Sequence, residues 1–276
     1  MSTKWRLLET GPAPGDWNMA VDEALLLHHA RGETPPTVRF YTWSPPAVSI
    51  GYFQDAAREV DLEACQKQGI TVVRRLTGGR AILHDREVTY SLVAAEDGSP
   101  VSGTVLESYL KISRGLLQGL RKLGVPAGIN EADAARRATP ACFQAPARYE
   151  LVVGERKLVG SAQARKHGCV LQHGSIPLLL DADRLFTVLN FSDAGERRRL
   201  LADFKNGVVS LNEAGGRSYS YAEVVMALAD GLAGVLGVEL EKGKLTPQEV
   251  ITAQRLVREK YGRDQWNRKT VPRRLV

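Results

Sequence analysis

The chain has 276 residues, 43% apolar and 25% charged, the balance of an ordinary globular protein with length for one substantial core. No apolar run approaches the roughly 20 residues of a membrane-spanning helix, and the first eight residues carry no apolar signal-peptide core, so neither a membrane span nor a leader is expected. The net charge of +6 suits nucleic acid, or else an acidic protein or an anionic cofactor. The basic residues are dispersed, apart from Arg197-Arg198-Arg199 and the tail from Arg268 to Arg274, and no basic stripe is interleaved with aromatics. Nucleic acid is therefore the weaker reading. Cys65, Cys142 and Cys169 are odd in number and irregularly spaced, which makes neither a disulfide framework nor a zinc signature and points to a reducing cytoplasm.

In chain order, residues 16–31 read as a helix with Asp16 as N-cap. Residues 37–43 and 47–51 read as strands around Ser44-Pro45-Pro46. Residues 55–68 read as a helix ending at Gly69. Strands follow at 70–75, 81–84 and 88–93, with Thr77-Gly78-Gly79 as a break, and then a long helix at 103–123 that stops at Gly124. Segments 148–153 and 157–160 flank Gly154-Glu155 as a hairpin. Further strands are expected at 169–173 and 175–179, a short helix from Asp181, an Ala/Leu-rich helix at 221–236, and a last helix opened by Thr246-Pro247. Strands in hairpins with helices in separate blocks argue for an α+β fold with a mixed, largely antiparallel sheet flanked by helices.

Three constellations carry chemistry. Cys142 lies in Thr139-Pro140-Ala141-Cys142-Phe143-Gln144-Ala145-Pro146, where two prolines favour an ordered loop over helix or central strand, and a loop thiol can be presented to substrate. Arg74-Arg75-Leu76-Thr77-Gly78-Gly79-Arg80 followed by His84-Asp85 combines close backbone approach, a potential anion nest and positive charge; its bland reading is a turn on a basic edge. Lys157, between Gly154 and Gly160, could depress a thiol pKa or polarise an acyl carbonyl. P-loop and dinucleotide fingerprints are absent. His84 and His173 lack metal-ligand spacing, so no metal and no cofactor are expected. His28, His29 and His167 read as surface or satisfied core residues.

At these residues the sequence resembles the lipoate–protein ligase and octanoyltransferase family. The matching runs are Arg74 to Asp85, Arg156-Lys157-Leu158-Val159-Gly160-Ser161-Ala162-Gln163 and Leu171-Gln172-His173-Gly174-Ser175, with Asn18 to Leu25 and Lys260-Tyr261-Gly262 to Trp266 in support. The likeness spans most of residues 5–267, and the Ala141-Cys142-Phe143 run is similar to the LipM-type octanoyltransferases. The resemblance implies the biotin/lipoate protein ligase catalytic fold over residues 1–245, a helix at 246–267 packed on the same domain, and a polar tail at 268–276. It implies a cysteine nucleophile at Cys142, with Lys157 lowering its pKa, and an acyl site shaped by Arg75, Gly78, Gly79, His84, Gly160, Ser161, Ala162 and His173. The implied reaction moves an octanoyl group from octanoyl-acyl carrier protein to a lysine of a lipoyl domain, with the glycine-cleavage H protein as the expected acceptor, through a thioester. Other readings are an ATP-dependent lipoate–protein ligase and a non-catalytic acyl or carrier-protein binding module.

Overall fold

The computed structural model describes residues 3–131 and 149–269; Cys142 and its proline-bracketed loop lie outside them. The order is β1 (Thr3–Ala13), α1 (Gly15–Ala30), β2 (Thr37–Trp43), β3 (Ala47–Ile50), α2 (Ala56–Glu59), α3 (Leu62–Lys67), β4 (Thr71–Arg74), β5 (Ile82–His84), β6 (Glu87–Ala95) and α4 (Val105–Lys122). β7 (Gly128–Ile129), β8 (Leu151–Val153), β9 (Arg156–Lys166), β10 (Cys169–Pro177), α5 (Ala182–Thr187), α6 (Ala194–Gly207), α7 (Leu211–Gly215) and α8 (Tyr221–Leu236) follow. The chain continues through β11 (Val238–Lys242), α9 (Pro247–Leu256), a π-helical stretch at Val257–Tyr261, and α10 (Asp264–Asn267).

The large sheet runs β11-β1-β2-β6-β10-β9-β8-β7 and the small one β4-β3-β5. β1 is parallel to both β11 and β2, while β2 to β6 and onward to β7 is antiparallel. This is the expected α+β class with a mixed, largely antiparallel sheet. One face of the large sheet buries Val38, Phe40, Val88, Tyr90, Leu92 and Ile176 against α4 and α8. Those helices approach closely because a Cβ on Gly119 would fall 2.7 Å from the Leu228 Cα. The opposite face meets α1, on which α9 packs through Ala253. α9 is also tied to β1 by a buried Arg6–Glu249 pair. The small sheet has its own core with α2, α3, α5 and α6.

Several expectations are corrected. The N-cap of α1 is Pro14, not Asp16, whose carboxylate instead accepts from Trp17 N–H. The helix expected at 55–68 is two helices, because Asp55 and Asp61 each cap a separate first turn. Strand β1 went unread because Trp5, Arg6, Leu7 and Leu8 are all buried; between two parallel neighbours a strand loses its apolar/polar alternation. α6 went unread because only Leu200 and Phe204 of it are buried, too narrow a stripe for a periodicity signal. Of the segment expected as a tail, Arg268 and Lys269 are described, and the Lys269 carbonyl accepts from Arg74.

Candidate active site

Side chains alternate across a strand, so the residues of β2, β6 and β10 that do not face α4 and α8 face α1. There the sequence places polar groups: Arg39, Thr89, Ser91, His173 and Ser175, all buried. Register puts Ser91 opposite His173 and Thr89 opposite Ser175. A buried polar face must be internally bonded, and it is. Asp22 of α1 accepts from Arg39 Nη1 at 2.7 Å, Ser91 Oγ at 2.8 Å and Tyr41 Oη at 3.1 Å, and meets His173 Nδ1 at 3.2 Å. Burial alone would raise the Asp22 carboxyl, but Arg39, then His173 and Ser91, outweigh it and hold Asp22 below its ordinary value. Burial lowers His173, and Asp22 only partly offsets this. His173 is thus neutral: Nδ1–H donates to Asp22, and Nε2 accepts from Thr77 Oγ at 2.7 Å.

A second carboxylate–histidine pair lies alongside. His84 meets Glu87 through Nδ1 at 2.8 Å and Ser49 Oγ through Nε2 at 2.7 Å, and it stacks on Trp43 with ring centres 3.9 Å apart. Ser175 and Thr89 also donate to Glu87. Burial pushes Glu87 up, but His84, Ser175 and Thr89 together bring it below the usual carboxylate range.

Between these groups opens a cavity of about 540 Å³ counted with its mouth and the solvent space it opens to. Its wall includes Met19, Tyr41, Trp43 and Ile82, with Arg75, Gly79, His84, Lys157, Gly160, Ser161, Ala162 and His173 among its polar and small residues. The expected site residues Arg75, Gly79, His84, Lys157, Gly160, Ser161, Ala162 and His173 are therefore brought together. Gly78 is not in the wall; its carbonyl accepts from Arg75 at 2.9 Å. Arg75 also donates to Ser49 O and Arg80 O, so its guanidinium clamps the 78–80 turn. Gly79 sits at φ 91°, and its carbonyl would lie 1.9 Å from a Cβ on Gly51, the close approach the paired glycines suggested. Arg74 points away from the cavity, its guanidinium spent on carbonyls of Gly51, Tyr52, Gln54, Trp266, Asn267 and Lys269.

Lys157 is buried and donates to Glu150 at 2.7 Å. Glu150 lines the cavity and was not singled out from sequence, nor were Asp22 and Glu87 as site residues. A usable signal existed for one of them: Asn18 and Asp22 stand four apart in α1 among the apolar Met19, Ala20, Val21, Ala24 and Leu25, the spacing of one face. Gly154, paired with Gly160 in the sequence reading, only serves the turn at φ 60°. β8 pairs with β9 only as far as Val159, so beyond it the outer edge of β9 has no strand partner among the described residues. Among those residues no His, Cys, Asp and Glu side chains group as metal ligands, and no helix is long and apolar enough to cross a membrane.

Residues 14–233 match the family model described as the lipoyl protein ligase A/B catalytic domain. The chain belongs to this family. It is 52% identical over 269 residues to octanoyltransferase LipM of Kyrpidia tusciae, covering 95% of this chain and 98% of that protein. It is 51% identical over 273 residues to octanoyltransferase LipM of Symbiobacterium thermophilum, covering 97% and 99%. Among solved structures, the bipartite lipoate protein ligase of Thermoplasma acidophilum superposes with a TM-score of 0.82 at 28% identity over 99% of this chain and 100% of that one. A lipoate-protein ligase A bound with ATP gives a TM-score of 0.79 at 28% identity over 98% and 100%. The runs Arg74 to Asp85, Arg156 to Gln163 and Leu171 to Ser175 thus each contribute residues to the wall of one cavity.

Proposed function

We propose that this chain is an acyltransferase of protein lipoylation, moving an octanoyl group onto a lysine of a lipoyl domain. The observation that carries the reading is the half-identity, over nearly the full length, to octanoyltransferases, combined with a partly apolar cavity that holds Lys157 beside Gly160-Ser161-Ala162. The donor in this reading is octanoyl-acyl carrier protein, the acceptor is the glycine-cleavage H protein, and the compartment is the cytoplasm.

The reaction has two halves. The Cys142 thiolate attacks the donor thioester carbonyl; the new S–C bond forms as the old one breaks, and the carrier thiolate departs and takes a proton. The neutral acceptor amine then attacks the enzyme thioester, loses a proton and leaves as the amide, returning the Cys142 thiol. Lys157 favours the thiolate and faces the developing oxyanion. Alternate backbone N–H groups of 160–162 point to the outer edge of β9 and supply a second set of oxyanion donors. His173, neutral and pinned by Asp22, orders Thr77 and the glycine turn; Arg75, Gly79 and His84 shape the acyl pocket, with Gly78 outside its wall serving as an anchor for Arg75.

The deciding experiment is intact mass after incubation with octanoyl-acyl carrier protein in the absence of ATP. The expected result is one octanoyl group on the wild type, none on Cys142→Ser, and passage of the group to added lipoyl domain. Strict dependence on ATP with free octanoate or lipoate would instead favour the ligase reading, to which the likeness to an ATP-bound ligase lends weight.

A further inference from the structure

Outside the cavity, three lysines gather over a set of aromatic rings. Lys269 Nζ lies 4.0 Å from the ring centre of Tyr52 and 4.2 Å from that of Trp266. Lys260 Nζ lies 4.2 Å from Trp266 and 5.0 Å from Tyr261, and Lys166 Nζ lies 5.6 Å from Tyr52. They come from three separate places: the end of β9, the π-helical stretch, and the segment after α10. Like charges so gathered repel one another, and aromatic faces compensate only in part. Among the described residues, the carboxylate seen to pair with this group is Glu23, 2.7 Å from Lys260. Burial and the Lys166 ammonium hold Lys260 below the ordinary lysine value in spite of Glu23. Beside Tyr52 stands Phe53, 66% exposed, with ring centres 4.9 Å apart. An exposed aromatic beside positive charge that a single carboxylate offsets only at Lys260 is the chemistry that receives an acidic protein surface.

This patch is built on the same loops as the cavity wall. Tyr52 N–H donates to Thr77 O at 2.8 Å, Trp266 Nε1 donates to Arg74 O at 3.0 Å, and Gly51 abuts Gly79. Lys166 and the cavity-lining Ala162 lie on one strand, four residues and so about 13 Å apart.

We propose that Tyr52, Phe53, Lys166, Lys260 and Lys269 form the docking surface for the acidic carrier protein that donates the acyl group. The proposal rests on the octanoyl-transfer reading and adds the place where the donor seats. The separation favours donor over acceptor. A lysine side chain cannot cross it, so an acceptor must seat at the cavity itself, whereas a thioester at the end of a long, flexible, phosphodiester-linked arm reaches in from a distance.

The test compares wild type with Lys166→Glu/Lys269→Glu and with Phe53→Ala, using octanoyl-acyl carrier protein, the small donor octanoyl-pantetheine, and the lipoyl-domain acceptor. The expected result is a rise of about tenfold or more in KM for the carrier-protein donor, steepest at low salt. Turnover with octanoyl-pantetheine and KM for the acceptor stay unchanged. An unaltered KM for the carrier protein, an equal loss with both donors, or a rise in the acceptor's KM instead would each overturn the docking surface. Wild-type transfer sets the reference: if the wild type moves no octanoyl group from either donor, the transfer reading and the surface resting on it fall together. If the wild type transfers normally and the variants match it, only the surface falls.

Discussion

Lys157 Nζ reaches Glu150 Oε1 at 2.7 Å inside the cavity wall, with both residues almost wholly buried. A buried charge is tolerable when paired and costly when its partner is removed. Lys157→Ala is therefore expected to lose octanoyl transfer and about 3 kcal/mol of stability. Lys157→Ala/Glu150→Ala should regain much of that stability and none of the activity. Urea midpoints read beside transfer rates separate the two effects; a double variant as unstable as the single one would show that the pair is not the source of the loss.

The three cysteines should differ sharply towards an alkylating agent. Burial pushes Cys65 up to about 11, and burial also raises Cys169, so neither is a thiolate near neutral pH. Cys142 is expected to be modified first, with simultaneous loss of transfer, and more slowly at neutral pH in Lys157→Ala, the difference closing as pH rises. Peptide mapping after a timed pulse checks the order. Superimposable pH profiles for Cys142 in the two proteins would remove Lys157 from any role in tuning the thiol.

Stability should fall on mild acidification because of His173. Its folded value is lowered from 6.5, so as pH drops through that value the unfolded chain takes up a proton that the folded chain refuses. The contribution is complete above 6.5 and declines below it until the lowered folded value is reached. His173→Gln should flatten this part of the stability curve. Chemical unfolding at successive pH values between the neutral range and the carboxylate range reports it, and an unchanged slope would place the sensitivity elsewhere.

Gly51→Ala is expected to damage the site without touching its chemistry. The added Cβ would lie 1.9 Å from Gly79 O and 2.8 Å from Gly79 C, both backbone atoms, so the glycine turn must move. A loss at or above the upper end of about 1–3 kcal/mol for overpacking is expected, with a raised KM for acyl donor. Gly98→Ala, with open space around its Cβ but φ 68°, is the control: it carries backbone strain alone and should leave KM unchanged.

Much of the cavity wall was legible in one dimension. The Arg75–Gly79 run, Lys157, Gly160-Ser161-Ala162 and His173 stand out as short motifs and meet in one cavity, and strands bounded by glycine and proline announce the α+β class. The alternation in 37–43 and 88–93 also fixed which residues share a face, because side chains on a strand have a period of two. What the order of residues could not disclose is which polar face is buried and what satisfies it. Asp22 meets His173 across 151 positions, and Glu87 meets Ser175 across 88. The stacking of α1 on the β2–β6–β10 face makes Asp22 a partner of these groups, and the pairing of β6 with β10 does so for Glu87. Likewise Arg74 and Arg75 read alike as adjacent cations, yet strand alternation and the docking of the 266–269 segment send one into the carbonyls of 51–54 and 266–269 and the other into the glycine turn of the cavity wall. Local chemistry is written in neighbouring residues; long-range pairing is decided by which surfaces the hydrophobic core brings together, and that exists only once the chain is folded.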